Sequence, residues 1–191
     1  MNETLKLALI LFLITAISAT VLAVSNDITA PKIAEVDRIK EEQAKMEILP
    51  EGKEFKPLDE DKLNEIKNSF DNVLEIFEAY SGNDLVGYTI KTVVNGYGGE
   101  IEFMTGISTE GKIKGIKILN HGETPGLGAN ATKPYFTESF KNKSVDGEII
   151  ASKNPSGDLE VQALTSATRT TNAILDGVNI ARQVYNEKLV K

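Results

Sequence analysis

The sequence predicts an α+β fold: one domain with an antiparallel sheet flanked by helices, on an N-terminal transmembrane helix. Three observations predict it. Residues 7–24, LALILFLITAISATVLAV, contain no charge. Between positions 85 and 119 apolar residues alternate with period two, the mark of half-buried strands. Near the C-terminus they recur at helical spacing.

The elements follow in order. Crossing a bilayer takes roughly 17–25 apolar residues, whereas the core of a cleaved signal peptide is about 7–15. The opening run is therefore read as an uncleaved anchor. Lys6 precedes it, and Lys32 and Arg38 follow, so the positive-inside rule does not place the rest of the chain outside the cytoplasm. After Pro31, Ile33, Val36, Ile39 and Met46 stand among charges, which predicts an amphipathic helix or stalk over 32–48, broken by PEG at 50–52. Leu63, Ile66, Phe70, Val73 and Phe77 predict a helix over 61–80, with Asp59 as its cap. Three strands of an antiparallel meander come next. LVGYTIKTVV turns through NGYGG into EIEFMTGIS, and TEG leads into KIKGIKIL. The apolar phase slips between Ile113 and Ile116, predicting a bulge near Gly115. Residues 120–157 are loop-rich, with a helical turn or two around 132–142. DLEVQAL predicts a fourth strand, and residues 169–188 a closing helix with Ile174, Val178, Ala181 and Tyr185 on one face.

The 191-residue chain has no cysteine, which removes disulfides and thiolate chemistry. A single histidine, His121, leaves no zinc site built from several His or Cys ligands. The net charge of −7 with scattered lysines argues against a nucleic-acid partner. No catalytic nucleophile–base–acid set appears.

Two stretches can carry chemistry. QALTSATRTTNAI, residues 162–174, places five hydroxyls (Thr165, Ser166, Thr168, Thr170, Thr171) where the closing helix begins. A plain reading is N-capping. A sharper one uses the same helix N-terminus as a phosphate seat, with a threonine binding or bonding to the phosphate. No Gly-rich P-loop motif accompanies it. NHGETPGLGAN, residues 120–130, brackets Pro125 with Gly122, Gly126 and Gly128. Such a loop either turns tightly at the surface or lets its backbone approach a flat ligand.

HGETPGLG (121–128) followed by LTSATRTTNAI (164–174) resembles the FMN-binding G subunit of the Rnf ion-translocating ferredoxin:NAD oxidoreductase complex. That protein is homologous to the C subunit of the sodium-pumping NADH:quinone reductase. The likeness extends to AVSNDITAPKIAE, LVGYTIKTVVNGYGGEIEFMTGIS and PYFTESF, and the short chain favours the Rnf protein. It implies a transmembrane anchor (1–26), a stalk or linker (27–58) and an FMN-binding domain (59–191). In the family, FMN is joined through its phosphate to the last threonine of Asp-x-x-Ser/Thr-Gly-Ala-Thr. Here that residue is Thr168, with Thr165 and Ala167 matching, and with Gln162 and Ser166 standing at the Asp and Gly positions. The resemblance further implies that Glu123 and Thr124 make polar contacts to the flavin, and that Leu127 and Gly128 face its ring. It implies an electron carrier of an ion-pumping complex in the cell membrane. Its soluble domain would lie on the extracytoplasmic side, its partners would be the other Rnf subunits, and a flavin transferase would load it. The alternatives are a quinone-reductase C subunit and a non-redox, membrane-anchored assembly or binding subunit with a degenerate flavin site.

Overall fold

The computed structural model describes residues 2–190, which form two units meeting in sequence at Lys40 and Glu41. From Glu3 to Lys40 the chain is part of helix α1 (Glu3–Ile48). It contains an 18-residue window of mean hydropathy 2.7, none of it buried, long and apolar enough to cross a membrane. The helix expected over 32–48 forms as part of α1, and Pro31 lies inside it rather than ending a segment.

The second unit begins with the last turns of α1 and is built on a six-stranded antiparallel sheet. Its strands are β1 (Glu54–Pro57), β2 (Val73–Ser81), β3 (Asp84–Asn95), β4 (Glu100–Ser108), β5 (Lys112–His121) and β6 (Lys143–Ser144), adjacent in that order. The predicted meander is thus β3–β4–β5. The predicted bulge is present: Gly106 pairs with Gly115 but Ile107 with Ile113, leaving Lys114 as the extra residue.

The helix predicted over 61–80 is corrected. Helix α2 spans only Glu60–Ser69, capped by Asp59, whose Oδ1 accepts from the N–H groups of Asp61 and Lys62. Beyond it, Val73 and Phe77 belong to β2. The register shift between Val73 and Glu75 lets Val73 and Ile76 both join the main core, while Ala79, in regular register from Ile76, is buried on the opposite face. A strand with one bulge and burial on both faces therefore imitates a helical period. Asn72 fastens the first bulge, its Nδ2 donating to the Val93 carbonyl at 2.9 Å.

The segment expected as a fourth strand stands apart from the meander. β8 (Glu160–Gln162) pairs in parallel with β7 (Ile150–Ser152) in a separate two-stranded sheet. The helical turns expected near 132–142 appear as 3-10 turns around α3 (Pro134–Thr137).

Helix α4 (Thr168–Val184) continues into a π-helical turn, Tyr185–Leu189. Its Ile174, Val178, Ala181 and Tyr185 pack on Ile90, Phe103 and Ile107 of the sheet to form the core. Gly177 permits the approach, since a Cβ there would lie 2.6 Å from Phe103 Cζ and 2.8 Å from Val94 Cγ1. The end of α1 covers other residues of the sheet. Ala44 and Ile48 cluster with Met104, and Lys45 Nζ sits 3.7 Å from the Phe77 ring centroid. Lys91, almost fully buried, is paired with Glu41 and lies 3.6 Å from Glu102, which satisfies its charge. The core-facing helix α4 thereby holds its N-terminus against the loops at the β3–β4 and β5 ends of the sheet.

Candidate functional site

The hydroxyl cluster divides into two sets. Thr171 Oγ1 donates to the Ala167 carbonyl at 3.0 Å and accepts from Leu164 N–H at 3.1 Å, so it stitches the turn entering α4. Thr170 Oγ1 donates to Glu123 Oε2 at 2.6 Å. Both are buried. Thr165, Ser166 and Thr168 are exposed.

The capping reading is corrected. The N-cap is Ala167, without a side-chain cap bond, so the first-turn N–H groups of Thr168, Arg169 and Thr170 have no capping oxygen. A helix end of this kind is electropositive and open to an anion. Thr168 is its first residue, with its hydroxyl in solvent.

Ser166 has φ +60°, in the left-handed region. That explains why the attachment motif favours glycine there: an L-side chain in this conformation is strained. Gln162 differs from aspartate in a way the local structure uses. Its Nε2 donates to the carbonyls of Lys153 and Ala163, each at 3.2 Å, and a carboxylate could not donate.

Facing this turn is the loop after β5. Thr124 O accepts from the N–H groups of Leu127 and Ala129, and Gly126 takes φ +79°. Glu123 points inward and is only 6% exposed. Besides Thr170, it accepts from Tyr97 N–H at 2.8 Å and Gly98 N–H at 2.9 Å, both through Oε1. Burial opposes its ionisation. The hydrogen bonds from Thr170, Gly98 and Tyr97, together with His121 nearby, more than offset this and hold its carboxyl below the ordinary value. His121 Nδ1 in turn accepts from Glu123 N–H at 3.2 Å.

Between the two segments lies a cleft of about 440 Å³. Tyr97, Glu123, Thr124, Leu127 and Gly128 line one part, and Ser166, Ala167, Thr168, Arg169 and Thr170 the other. The structure thus brings together Glu123, Thr124, Leu127, Gly128, Ser166, Ala167 and Thr168, some 40 positions apart in sequence. Thr165 is not part of the lining. Sequence reasoning missed Tyr97 and Arg169, and named Thr170 only as one of the five hydroxyls. The Tyr97 ring, 72% exposed, stands with Leu127, 42% exposed, at the cleft. An aromatic residue between glycines, in NGYGG, was the available signal. A second cleft, about 220 Å³, lies between β5 and α3. Its Lys117 and Lys141 are paired with Glu47 and Glu138, which leaves little unsatisfied charge to bind a ligand.

The cleft suits FMN. It offers an exposed threonine hydroxyl and uncapped helical N–H groups for a phosphate. Arg169 adds a cation beside them, and Tyr97 and Leu127 offer exposed apolar surface for a flat ring. Glu123 stands in the lining, but its oxygens are already engaged by three protein donors.

Comparison with known proteins agrees. Residues 96–183 match the FMN-binding domain family. The chain is 38% identical, over 94% of its length and 90% of the relative's, to the G subunit of the Na⁺-translocating ferredoxin:NAD⁺ oxidoreductase complex of Acetobacterium woodii. It is 29% identical to the G subunit of the ion-translocating oxidoreductase complex of Methanosarcina acetivorans, covering 94% of this chain and 93% of the relative. In fold it is similar to the crystal structure of the C subunit of the Na⁺-translocating NADH-quinone reductase of Parabacteroides distasonis. That match has a TM-score of 0.55 and 21% identity, covering 66% of this chain and 67% of the other. With the FMN-binding domain and its cleft in place, this chain belongs to the family of G subunits of Rnf-type ion-translocating oxidoreductase complexes.

Proposed function

We propose that Thr168 carries FMN as a phosphodiester and that the chain relays electrons inside a membrane-bound ferredoxin:NAD oxidoreductase complex. As a family member it is a redox subunit of an ion-translocating assembly, and the other subunits are its partners. The observation that carries the attachment site is the position of Thr168. It is exposed, heads α4, lines the cleft and has no side-chain cap competing for the first-turn N–H groups.

Bound FMN supplies one- and two-electron redox chemistry, and the protein supplies the rest. The N–H groups at the start of α4 and the Arg169 guanidinium hold the remaining phosphate charge. Thr168 provides the ester oxygen. Leu127, Tyr97 and the backbone at Gly128 exclude water from part of the cleft. Thr124 offers a polar contact. Thr165 is exposed and lies outside the lining of the cleft.

A threonine hydroxyl is a weak nucleophile, and the carboxylate in the same cleft, Glu123, is already engaged by three protein donors. A flavin transferase with FAD as donor therefore makes the bond: Thr168 Oγ joins the FMN-side phosphorus, AMP leaves, and the hydroxyl proton passes to the transferase. Helix α1 anchors the chain in the membrane, and the domain faces the extracytoplasmic side, where such a transferase would meet it. The test is intact mass and in-gel flavin fluorescence of the chain and of Thr168→Ala, each expressed with the transferase. The expected adduct is FMN minus water in the first and none in the second. An undiminished adduct in Thr168→Ala would refute the assignment. Absence of the adduct from both would favour a non-redox subunit.

A further inference from the structure

We infer that Glu123 is the positioning residue of the cleft: its buried carboxylate fastens the β3–β4 loop and the first turn of α4 to the loop between them, which fixes where Thr168 stands. This rests on the cofactor reading for its purpose but not for its geometry.

The carboxylate joins three segments remote in sequence. Oε1 takes the N–H groups of Tyr97 and Gly98, and Oε2 takes the Thr170 hydroxyl, two residues beyond Thr168 and within the same helical turn. Hydrogen bonds to an ionised acceptor are stronger than neutral ones, and burial shields them from water. The surrounding glycines are shaped to this group. A Cβ on Gly96 would overlap Glu123 Oε1. One on Gly128 would overlap Oε2 and stand 2.6 Å from Thr170 Oγ1. Gly98 has its own constraint, since a Cβ there would overlap the Gly122 carbonyl. The glycines of NGYGG and GETPGLG therefore make room for a carboxylate and for backbone against backbone, in addition to any room they leave for a ring.

Each donor would otherwise need another partner. Tyr97 and Gly98 lie in an irregular loop whose backbone bonds include Gly96 N–H to the Gly99 carbonyl. Without Glu123 the two N–H groups turn to water, the loop carrying the Tyr97 ring comes loose, and α4 loses its tie to residues 122–128. Thr168 would remain on the surface but out of register with the opposite wall.

Glutamine separates the tie from the charge. In Glu123→Gln, Oε1 still accepts from both N–H groups and Nε2 donates to Thr170 Oγ1, so the tie survives. Alanine removes it. The experiment uses the full-length chain in detergent, made without a flavin transferase, and follows hydrogen exchange at the Tyr97 and Gly98 amides. Exchange is expected to be at least about tenfold faster in Glu123→Ala and within about threefold of wild type in Glu123→Gln. The second readout is the rate of flavin attachment when transferase and FAD are added, expected to fall at least about tenfold in alanine and to recover in glutamine. Thr170→Val is a gentler variant that cuts only the α4 arm. It should slow attachment while leaving Tyr97 and Gly98 protected.

Unchanged exchange in Glu123→Ala would overturn the tie. Fast exchange with undiminished attachment would overturn its positioning role. Failure of glutamine to restore attachment would show that charge, not position, is what matters, and would also overturn the inference. If wild type itself took no flavin, the cofactor reading would fail while the exchange data still decided the tie.

Discussion

Ser166 offers a sharp test of the turn that presents Thr168. Its φ of +60° places an L-residue in the left-handed region, which costs roughly 1–2 kcal/mol. Glycine removes that strain but loses about 0.5–1 kcal/mol more conformational entropy on folding. The net expectation for Ser166→Gly is stabilisation by about 0.5–1 kcal/mol. The unit that holds the site runs from Glu41 to Lys191. An unfolding entropy near 2.1 cal/mol/K per residue gives about 0.3 kcal/mol/K for a unit of this size. Tm should therefore rise by about 2–3 °C.

Thermal unfolding followed by tyrosine fluorescence suits a chain with five tyrosines and no tryptophan. Ser166→Ala is the decisive control, because it keeps the Cβ and removes only the hydroxyl. The Ser166 side chain is exposed, so alanine should leave Tm within about 1 °C. Asn142, at φ +63°, provides a second control. Asparagine tolerates this region better than serine, so Asn142→Gly should gain less. A fall in Tm for Ser166→Gly, or a large loss for Ser166→Ala, would refute the strain argument. Either result would mean that the hydroxyl secures the turn.

Three further outcomes follow from the site. Thr168→Ala should change stability by no more than about 0.5 kcal/mol while abolishing the flavin adduct, since the hydroxyl is exposed and caps nothing; chemical denaturation and intact mass read the two effects. Gly128→Ala should destabilise by about 1–3 kcal/mol through overlap with Glu123 and Thr170, with far-UV CD retained. Gly157→Ala, with its nearest contact at 3.4 Å, is the proper control, whereas Gly147 is not, because a Cβ there would overlap Leu159. The third outcome concerns pH. The carboxyl of Glu123 lies below the ordinary 4.5, so the stability it contributes is complete above 4.5 and lost as pH falls through its folded value. Glu123→Gln should flatten that acid limb in apo-protein denaturation curves. An identical limb in the variant would show that other carboxylates set it.

What was legible in the sequence divides along physical lines. The strands of the meander were legible because apolar side chains on the main-core face alternate with Gly87, Thr89, Lys91 and Gly106 on the other, even though both faces are buried. Even the Lys114 bulge announced itself as a phase slip between Ile113 and Ile116. β2 was not legible, because one bulge and burial on both faces space its buried residues three apart, and no local signal tells that pattern from a helix. The site shows the same contrast. Thr168 and its neighbours form a contiguous string, and the HGETPGLG loop forms another, so both could be quoted. The tie between them is a long-range fact. Glu123 meets Tyr97 across 26 positions and Thr170 across 47. In sequence Glu123 is indistinguishable from a solvated surface charge, Gly96 from any turn glycine, and Thr170 from one more hydroxyl in a row of five. Only folding reveals that the glycines leave space for the carboxylate, that the carboxylate takes the hydroxyl, and that two of the five hydroxyls face inward so that Thr168 can face out.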